Sequence, residues 1–257
     1  MSQRTAARLG FAAFVLAALI ALGAVAGVRL ALLPYAQGWR LMIPATGLGL
    51  LALALSLAWM ARALKANDGA GRRAGLAALF GSLLLLYPPL ATMANRLVSP
   101  PIHDFTTDTE NPPRFVALLK QRGANANSPT YEGNTPVSFR GETRPLSTVL
   151  HDHYRDILKP HAGFAVGSKD PIATFFWRDF EAAKKAGWHI VDFNPKDARI
   201  EATHASFWFG RVSDIVIQVR RAGAGARTDL RAQSREDSTD DGANAALAKR
   251  YFRLLAR

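Results

Sequence analysis

Five arginines of the C-terminal half occupy positions from which they could bind an anion together. They fall on predicted strands, where Glu201 and Asp229 share their face. Clustered guanidinium groups bind phosphate and carboxylate groups well. The cluster could form an anion-binding sheet face, but we favour a solvated face with ion pairs between strands, because acids neutralise half of the cluster. The five residues are Arg199, Arg220, Arg227, Arg231 and Arg235.

A second candidate is the aromatic run Phe207-Trp208-Phe209-Gly210, which includes Trp208 as a binding residue. Three large rings at a strand end could rest at a membrane interface or line a ligand pocket. We favour the ordinary alternative, in which they pack in the core against a helix. That helix carries Phe175, Phe176 and Phe180.

A third candidate is the start of the last predicted helix, where Asp240 and Asn244 flank Gly242. The first N–H groups of a helix lack partners inside the helix, so they can bind an anion. The simpler interpretation is a helix cap with a tight loop.

Histidines and carboxylates cluster between residues 151 and 161, which raises the question of a metal site. A zinc site needs at least three ligands held in a fixed geometry. We favour the simpler alternative, in which these residues form a solvated turn. We therefore predict no metal and no cofactor, and the chain has no cysteine that could act as a ligand or a nucleophile. The residues concerned are His151, Asp152, His153, Asp156 and His161.

Nucleophilic chemistry is weakly supported. Glu201 and His204 lie three apart on one predicted strand, so their side chains point to opposite faces. His204 and Ser206 share a face, but the sequence contains no Gly-x-Ser-x-Gly turn to expose a nucleophile.

The N-terminal third consists of apolar stretches long enough to cross a membrane. About 20 apolar residues are needed for a helical span, and we predict three, over residues 9–33, 41–60 and 74–93. An alternative for the first span is a cleaved signal peptide, since Ala24-Val25-Ala26 resembles a cleavage site. We favour a retained helix, because the apolar run continues past that point.

Basic residues predict the orientation of these spans. Short loops rich in Lys and Arg stay in the cytoplasm, and the second loop holds Arg62, Lys65, Arg72 and Arg73. The N-terminus is therefore predicted inside and the C-terminal part outside. Of the net charge of +12, about +7 belongs to the residues up to Met93. In the remainder acids and bases interleave, which argues against a nucleic-acid partner.

The elements after the spans predict an α+β fold. Residues 95–147 form a predicted linker with a short helix and a surface loop, and residues 148–257 form the domain. An apolar helical stripe follows Asp170-Pro171, and alternation over Arg227–Arg235 gives a strand with one buried face. We predict an antiparallel sheet of four to five strands, one of them at Phe164–Val166, with helices on one face.

Four segments resemble the bacterial family known as domain of unknown function 1499. This resemblance implies a similar fold for residues 104–257 and no established activity. Members often carry such a domain behind hydrophobic spans, which implies a bacterial inner membrane and a periplasmic domain here. The segments are Thr107–Phe115 (TDTENPPRF), Tyr154–Ile157 with Pro160, Arg199–Gly210 (RIEATHASFWFG) followed by DIVIQVR, and Ser234-Arg235 followed by Thr239, Asp240, Gly242, Asn244 and Ala245.

Two functions remain open. The first hypothesis is a non-catalytic membrane protein whose outer domain binds an envelope component, such as an anionic lipid or an envelope polymer, or another membrane protein. The alternative is a membrane-bound hydrolase that uses Asp156, His204 or Asp240. A transporter is disfavoured, because the spans hold few interior charges.

Overall fold

The computed structural model describes residues 2–66, 71–159, 161–163, 170–236 and 239–256. The chain divides into two compact units. The first unit holds Met1–Ala94 together with Phe207–Gly210, and the second holds Asn95–Ser206 together with Arg211–Arg257.

Three long helices build the first unit: α1 (Gln3–Arg29), α2 (Tyr35–Ala66) and α3 (Arg72–Val98). Each contains a stretch long and apolar enough to cross a membrane, of 26, 31 and 27 residues. The prediction of a three-span helical bundle is confirmed. Helix α1 ends at Arg29, with Leu30 as its C-cap, and the next residue, Ala31, takes a positive φ of 56°.

Small residues let the helices of this unit approach closely. Trp59 of α2 is buried, and a Cβ atom at Gly75 of α3 would meet its ring at 2.3 Å. Without a hydrophobic driving force inside lipid, such close packing is the main attraction between helices. Helix α3 continues through Pro88 and Pro89 to Val98, so these prolines do not end it.

The second unit is an α+β fold around a six-stranded antiparallel sheet. The strands run in the order β1-β8-β7-β6-β5, and β4 also pairs with β8. The predicted fold class, an antiparallel sheet with helices on one face, is confirmed. The strands are β1 (Asp104–Thr106), β4 (His161–Gly163), β5 (His189–Asn194), β6 (Arg199–Ala205), β7 (Val212–Ala222) and β8 (Gly225–Ser234).

The stretch predicted as a linker contributes structure to this unit. It holds β1, a 3-10 helix at Leu118–Gln121 and a separate hairpin of β2 (Pro136–Phe139) and β3 (Glu142–Pro145). Strand β1, the first strand of this unit along the chain, pairs with β8, the last one. The strand predicted at Phe164–Val166 lies outside the described residues.

One face of the sheet and three helices enclose the apolar core. The helices are α4 (Leu146–His153), α5 (Pro171–Lys185) and α6 (Ala243–Leu255). Helix α5 begins as predicted, with the Asp170 carboxylate accepting the N–H of Ala173. Among the buried core residues are Phe105, Leu150, Phe175, Phe176, Ile200, Ile215, Ile217, Leu230 and Tyr251.

One carboxyl group is buried in this core. Asp179 of α5 is fully buried and accepts a hydrogen bond of 2.5 Å from the Thr228 hydroxyl of β8. Burial raises the pKa of Asp179 to about 6, although this hydrogen bond and Arg178 lower it in part. The folded chain therefore holds this proton at a pH where the unfolded chain, with a pKa near 3.8, has released it.

We expect Asp179→Asn to flatten the pH dependence of stability. In the parent chain the free energy of unfolding falls as pH rises from about 4 to about 6, because only the unfolded state is deprotonated there. The substitution removes this loss, which is at most about 3 kcal/mol. Asp240, whose pKa burial also raises to about 6, leaves a remaining slope.

Thermal unfolding of the full chain in detergent, followed from pH 4 to pH 8, measures this effect. Asp156→Asn, at an exposed carboxylate, controls for the change in net charge. An unaltered pH profile in Asp179→Asn would show that the buried carboxyl does not control it.

Candidate functional site

The arginine face of the sheet is largely covered by protein, with Arg231 buried and the other four arginines partly exposed. The alternation predicted for β8 is confirmed, with Leu230 and Ala232 in the apolar core and Arg231 on the other face. The prediction of a solvated face is wrong at Arg231, which is only 1% exposed, whereas the predicted ion pairs between strands are present, as in Arg220–Asp229 and Arg231–Asp104. The segment between β1 and β2 covers this face and packs Phe115 and Leu118 against Val216 of β7.

Each of the five predicted arginines contacts a carboxylate within the fold. Arg231 makes a double contact with Asp104, with Nε–Oδ1 at 2.9 Å and Nη2–Oδ2 at 2.7 Å. This geometry satisfies two guanidinium N–H groups and both carboxylate oxygens, as a buried charge requires. The other pairs are Arg199 with Glu201, Arg220 and Arg227 with Asp108 and Asp229, and Arg235 with Asp214.

A sixth arginine, which the sequence did not single out, completes the network. Arg122 follows the 3-10 helix, donates to Asp214 at 2.8 Å and also donates to Gln233. Its guanidinium lies 5.1 Å from the centre of the Phe115 ring, and that of Arg231 lies 4.8 Å from the same ring. Arg122 lies in the predicted linker, and its place in the network is set by its partners Asp214 and Gln233 on the strands.

Glu201 holds the covering segment in position. Its fully buried carboxylate accepts the backbone N–H groups of Val116, Ala117 and Leu118 at 2.9 to 3.0 Å. These are the donors that a helix start leaves without partners, and they favour an anion. Glu201 is therefore structural. His204 lies on the opposite face, as predicted, and burial lowers its pKa, with Arg250 adding to the effect.

A cleft of about 720 Å³ opens beside this covering segment. Arg231 lies at its base with the Tyr131 ring, whose centre is 5.7 Å from the guanidinium carbon. The Tyr131 hydroxyl is buried and has no hydrogen-bond partner among the described residues. Burial, with the nearby Asp104, raises the pKa of Tyr131, so the hydroxyl keeps its proton and remains a donor.

The described lining of this cleft mixes neutral polar, aromatic and charged side chains. It comprises Thr109, Glu110, Asn111, Pro112, Arg114, Phe115, Leu119, Pro129, Thr130, Tyr131, Gly133, Asn134, Ser147 and Arg231.

A smaller cleft of about 110 Å³ shares Thr109 and Glu110 with the first. It contains two of the histidines considered for a metal site. His151 Nε2 is hydrogen-bonded to the Thr109 hydroxyl at 2.8 Å, while His161 stacks on Phe252 at 3.4 Å between ring centres. Burial lowers the pKa of His161. Among the described residues, no group of three or more histidines and carboxylates is arranged to hold a metal ion.

Asp240 and Asn244 form the cap of α6. Asp240 is buried and accepts the N–H groups of Gly242 at 2.8 Å and Asn244 at 3.0 Å. The helix-start donors that we considered for an anion are thus occupied by the protein's own carboxylate. The Asn244 amide donates to the carbonyl of His103 at 3.0 Å and joins the helix to the residue before β1.

The aromatic run does not pack against α5, so our preferred interpretation is wrong. Phe209 is buried within the first unit, against Ala24 and Met42, and lies edge-on to Tyr35 at 5.4 Å. The core beside α5 takes Phe193 from β5 instead, at 4.8 Å from Phe176. Trp208 remains 41% exposed.

The three residues considered for hydrolysis do not meet in the described contacts. Asp156 is exposed and pairs with Lys159 at 3.1 Å, whereas Asp240 caps α6. His204 pairs with Ser213 across β6 and β7.

Fold and site together define a membrane protein whose three apolar helices precede an α+β unit with a polar cleft. The family model described as "Protein of unknown function (DUF1499)" matches residues 104–255, and the chain belongs to this family. No curated protein matches the chain, and no solved structure matches it.

We expect Asp104→Ala to destabilise the α+β unit strongly. The substitution leaves Arg231 as a buried charge without its carboxylate, which costs about 3 to 5 kcal/mol. Replacing both partners, as in Asp104→Leu with Arg231→Met, removes both charges and recovers most of that loss.

Urea unfolding of the full chain in detergent compares the single, double and parent chains. If Asp104→Ala changed the free energy of unfolding by less than about 1 kcal/mol, the ion pair would not be a structural requirement.

Proposed function

We propose that this chain is a non-catalytic binding protein of the bacterial cell envelope, anchored in the inner membrane, whose cleft binds a glycan segment of an envelope polymer. The observation that carries the proposal is the cleft of about 720 Å³ with the buried, unpartnered Tyr131 hydroxyl. A pocket of this size is in the range of ligand sites, and a few placed polar groups orient the ligand there.

The chemistry of the lining supports a glycan. Hydroxyl and amide side chains exchange hydrogen bonds with sugar hydroxyl groups, because both can donate and accept. The Phe115 and Tyr131 rings offer apolar surface for the C–H face of a sugar. The neutral polar groups of the lining are Thr109, Asn111, Thr130, Asn134 and Ser147.

The same lining supports binding over cleavage. Glycoside hydrolysis ordinarily uses two carboxyl groups on opposite sides of the scissile bond. Among the described lining residues, Glu110 is the one carboxylate, and Asp104 is engaged by Arg231 beneath the cleft. A second carboxylate at catalytic distance is therefore missing from the described lining.

The charges around the helices support the location. Arg62 and Lys65 lie in the last turns of α2, and Arg72 and Arg73 begin α3, so this connection is strongly basic. Basic connections stay in the cytoplasm. With three spans, the N-terminus is then cytoplasmic and the α+β unit periplasmic.

Substitution of Tyr131 tests the binding proposal. We expect the full chain in detergent to bind soluble oligosaccharides released from bacterial cell wall, and Tyr131→Phe to weaken binding about tenfold through loss of one hydrogen bond. Tyr154→Phe is the matched control, because it removes a hydroxyl that is also buried but lies outside the cleft lining.

Isothermal titration calorimetry measures both affinities. Absence of saturable glycan binding, or equal losses in the two variants, would refute the proposed site.

The orientation has a separate test, which uses the absence of cysteine in the chain. A cysteine at exposed Ala224, in the turn between β7 and β8, should react with a membrane-impermeant maleimide on intact spheroplasts. A cysteine at exposed Ser2 should react only after the membrane is opened. The reverse pattern would place the α+β unit in the cytoplasm.

A further inference from the structure

The Phe207–Gly210 segment, which belongs to the first unit, exposes two large aromatic rings. Phe207 is 80% exposed and Trp208 41%, whereas Phe209 is buried among Ala24, Met42 and their neighbours. Exposed aromatic side chains side by side are unusual on a surface that faces only water. The segment thus has an inner ring that anchors it and two outer rings whose surroundings need an explanation.

The backbone of the segment is held so that the outer rings stay exposed. Arg29, the last residue of α1, donates from Nε to the carbonyl of Trp208 at 2.9 Å and from Nη2 to the carbonyl of Phe207. Gly210 closes the segment with a positive φ of 66°. The two rings lie 5.1 Å apart between centres, edge to face, and form one apolar surface.

This surface continues an apolar surface of the helices. Leu30 and Leu32 follow Arg29 in the turn between α1 and α2, and both are largely exposed. Tyr35 and Trp39, at the start of α2, contact Phe209. Aromatic residues at the ends of membrane-crossing helices lie at the boundary between lipid and water, where an apolar ring and a polar edge are both satisfied.

We infer that Phe207 and Trp208 insert into the interfacial layer of the lipid bilayer. The occupant of this surface is lipid, because the helices of the same unit are long and apolar enough to cross a membrane and their exposed apolar side chains continue onto the segment. The Arg29 guanidinium, engaged by two carbonyl oxygens, lies at the same level and can also meet phosphate groups there. The segment is therefore a second point of membrane contact, 109 residues after Val98 ends α3.

Site-specific fluorescence tests this inference on the full chain. Phe207→Cys, labelled with an environment-sensitive fluorophore and reconstituted in phosphatidylcholine–phosphatidylglycerol vesicles, should show blue-shifted emission. Lipids that carry a nitroxide just below the head group should quench it several-fold more than the same label at Ala224→Cys. Ala224 is also exposed but lies in the turn between β7 and β8.

Trp208→Cys gives an independent second position with the same expected result. Labels at 207 and 208 that emit as in water, and are quenched no more than the label at 224, would overturn the inference. A blue shift without quenching by lipid would overturn it as well, since the rings would then be covered by protein, such as a second copy of the chain.

Discussion

The burial of charged pairs on the second face of the sheet is the constraint on which the α+β unit depends. A guanidinium such as that of Arg231 can lie at 1% exposure only when a carboxylate meets it, and Asp104 on the neighbouring strand does so. The covering segment is in turn fixed by a carboxylate, since Glu201 accepts its first N–H groups. The covering segment, which forms part of the cleft wall, therefore depends on charged side chains of the sheet beneath it.

The regular elements could be predicted because each follows a period. Apolar runs of membrane length gave three helices, the stripe at Phe175 and Phe176 gave α5, and the alternation around Leu230 gave β8. The environment of the charged face could not be predicted in the same way. Alternation shows that two faces differ, but a charged face looks the same in sequence whether water or a folded loop covers it.

The candidate site was found only in part for the same reason. Arg231 stood out as one arginine of a set, whereas Tyr131, Arg114 and Arg122 lie in the predicted linker, where nothing in the residue pattern marks them as part of a site. Their places are set by tertiary partners, as with Arg122 and Asp214. The aromatic run was assigned to the wrong neighbour because hydrophobicity shows that Phe209 is buried without showing which element it contacts.

The pairing of β1 with β8 also has a kinetic consequence. Asp104 of β1 is paired with Gln233 of β8, so β1 cannot pair until the chain has been synthesised as far as β8. Closure of so large a loop is slow, and sheets of such long-range pairing fold late. Until β1 pairs with β8, the arginines and carboxylates of the charged face stay hydrated. This face of the sheet is therefore a poor surface for aggregation with other chains. The charges that are costly to bury thereby protect the nascent chain from aggregation.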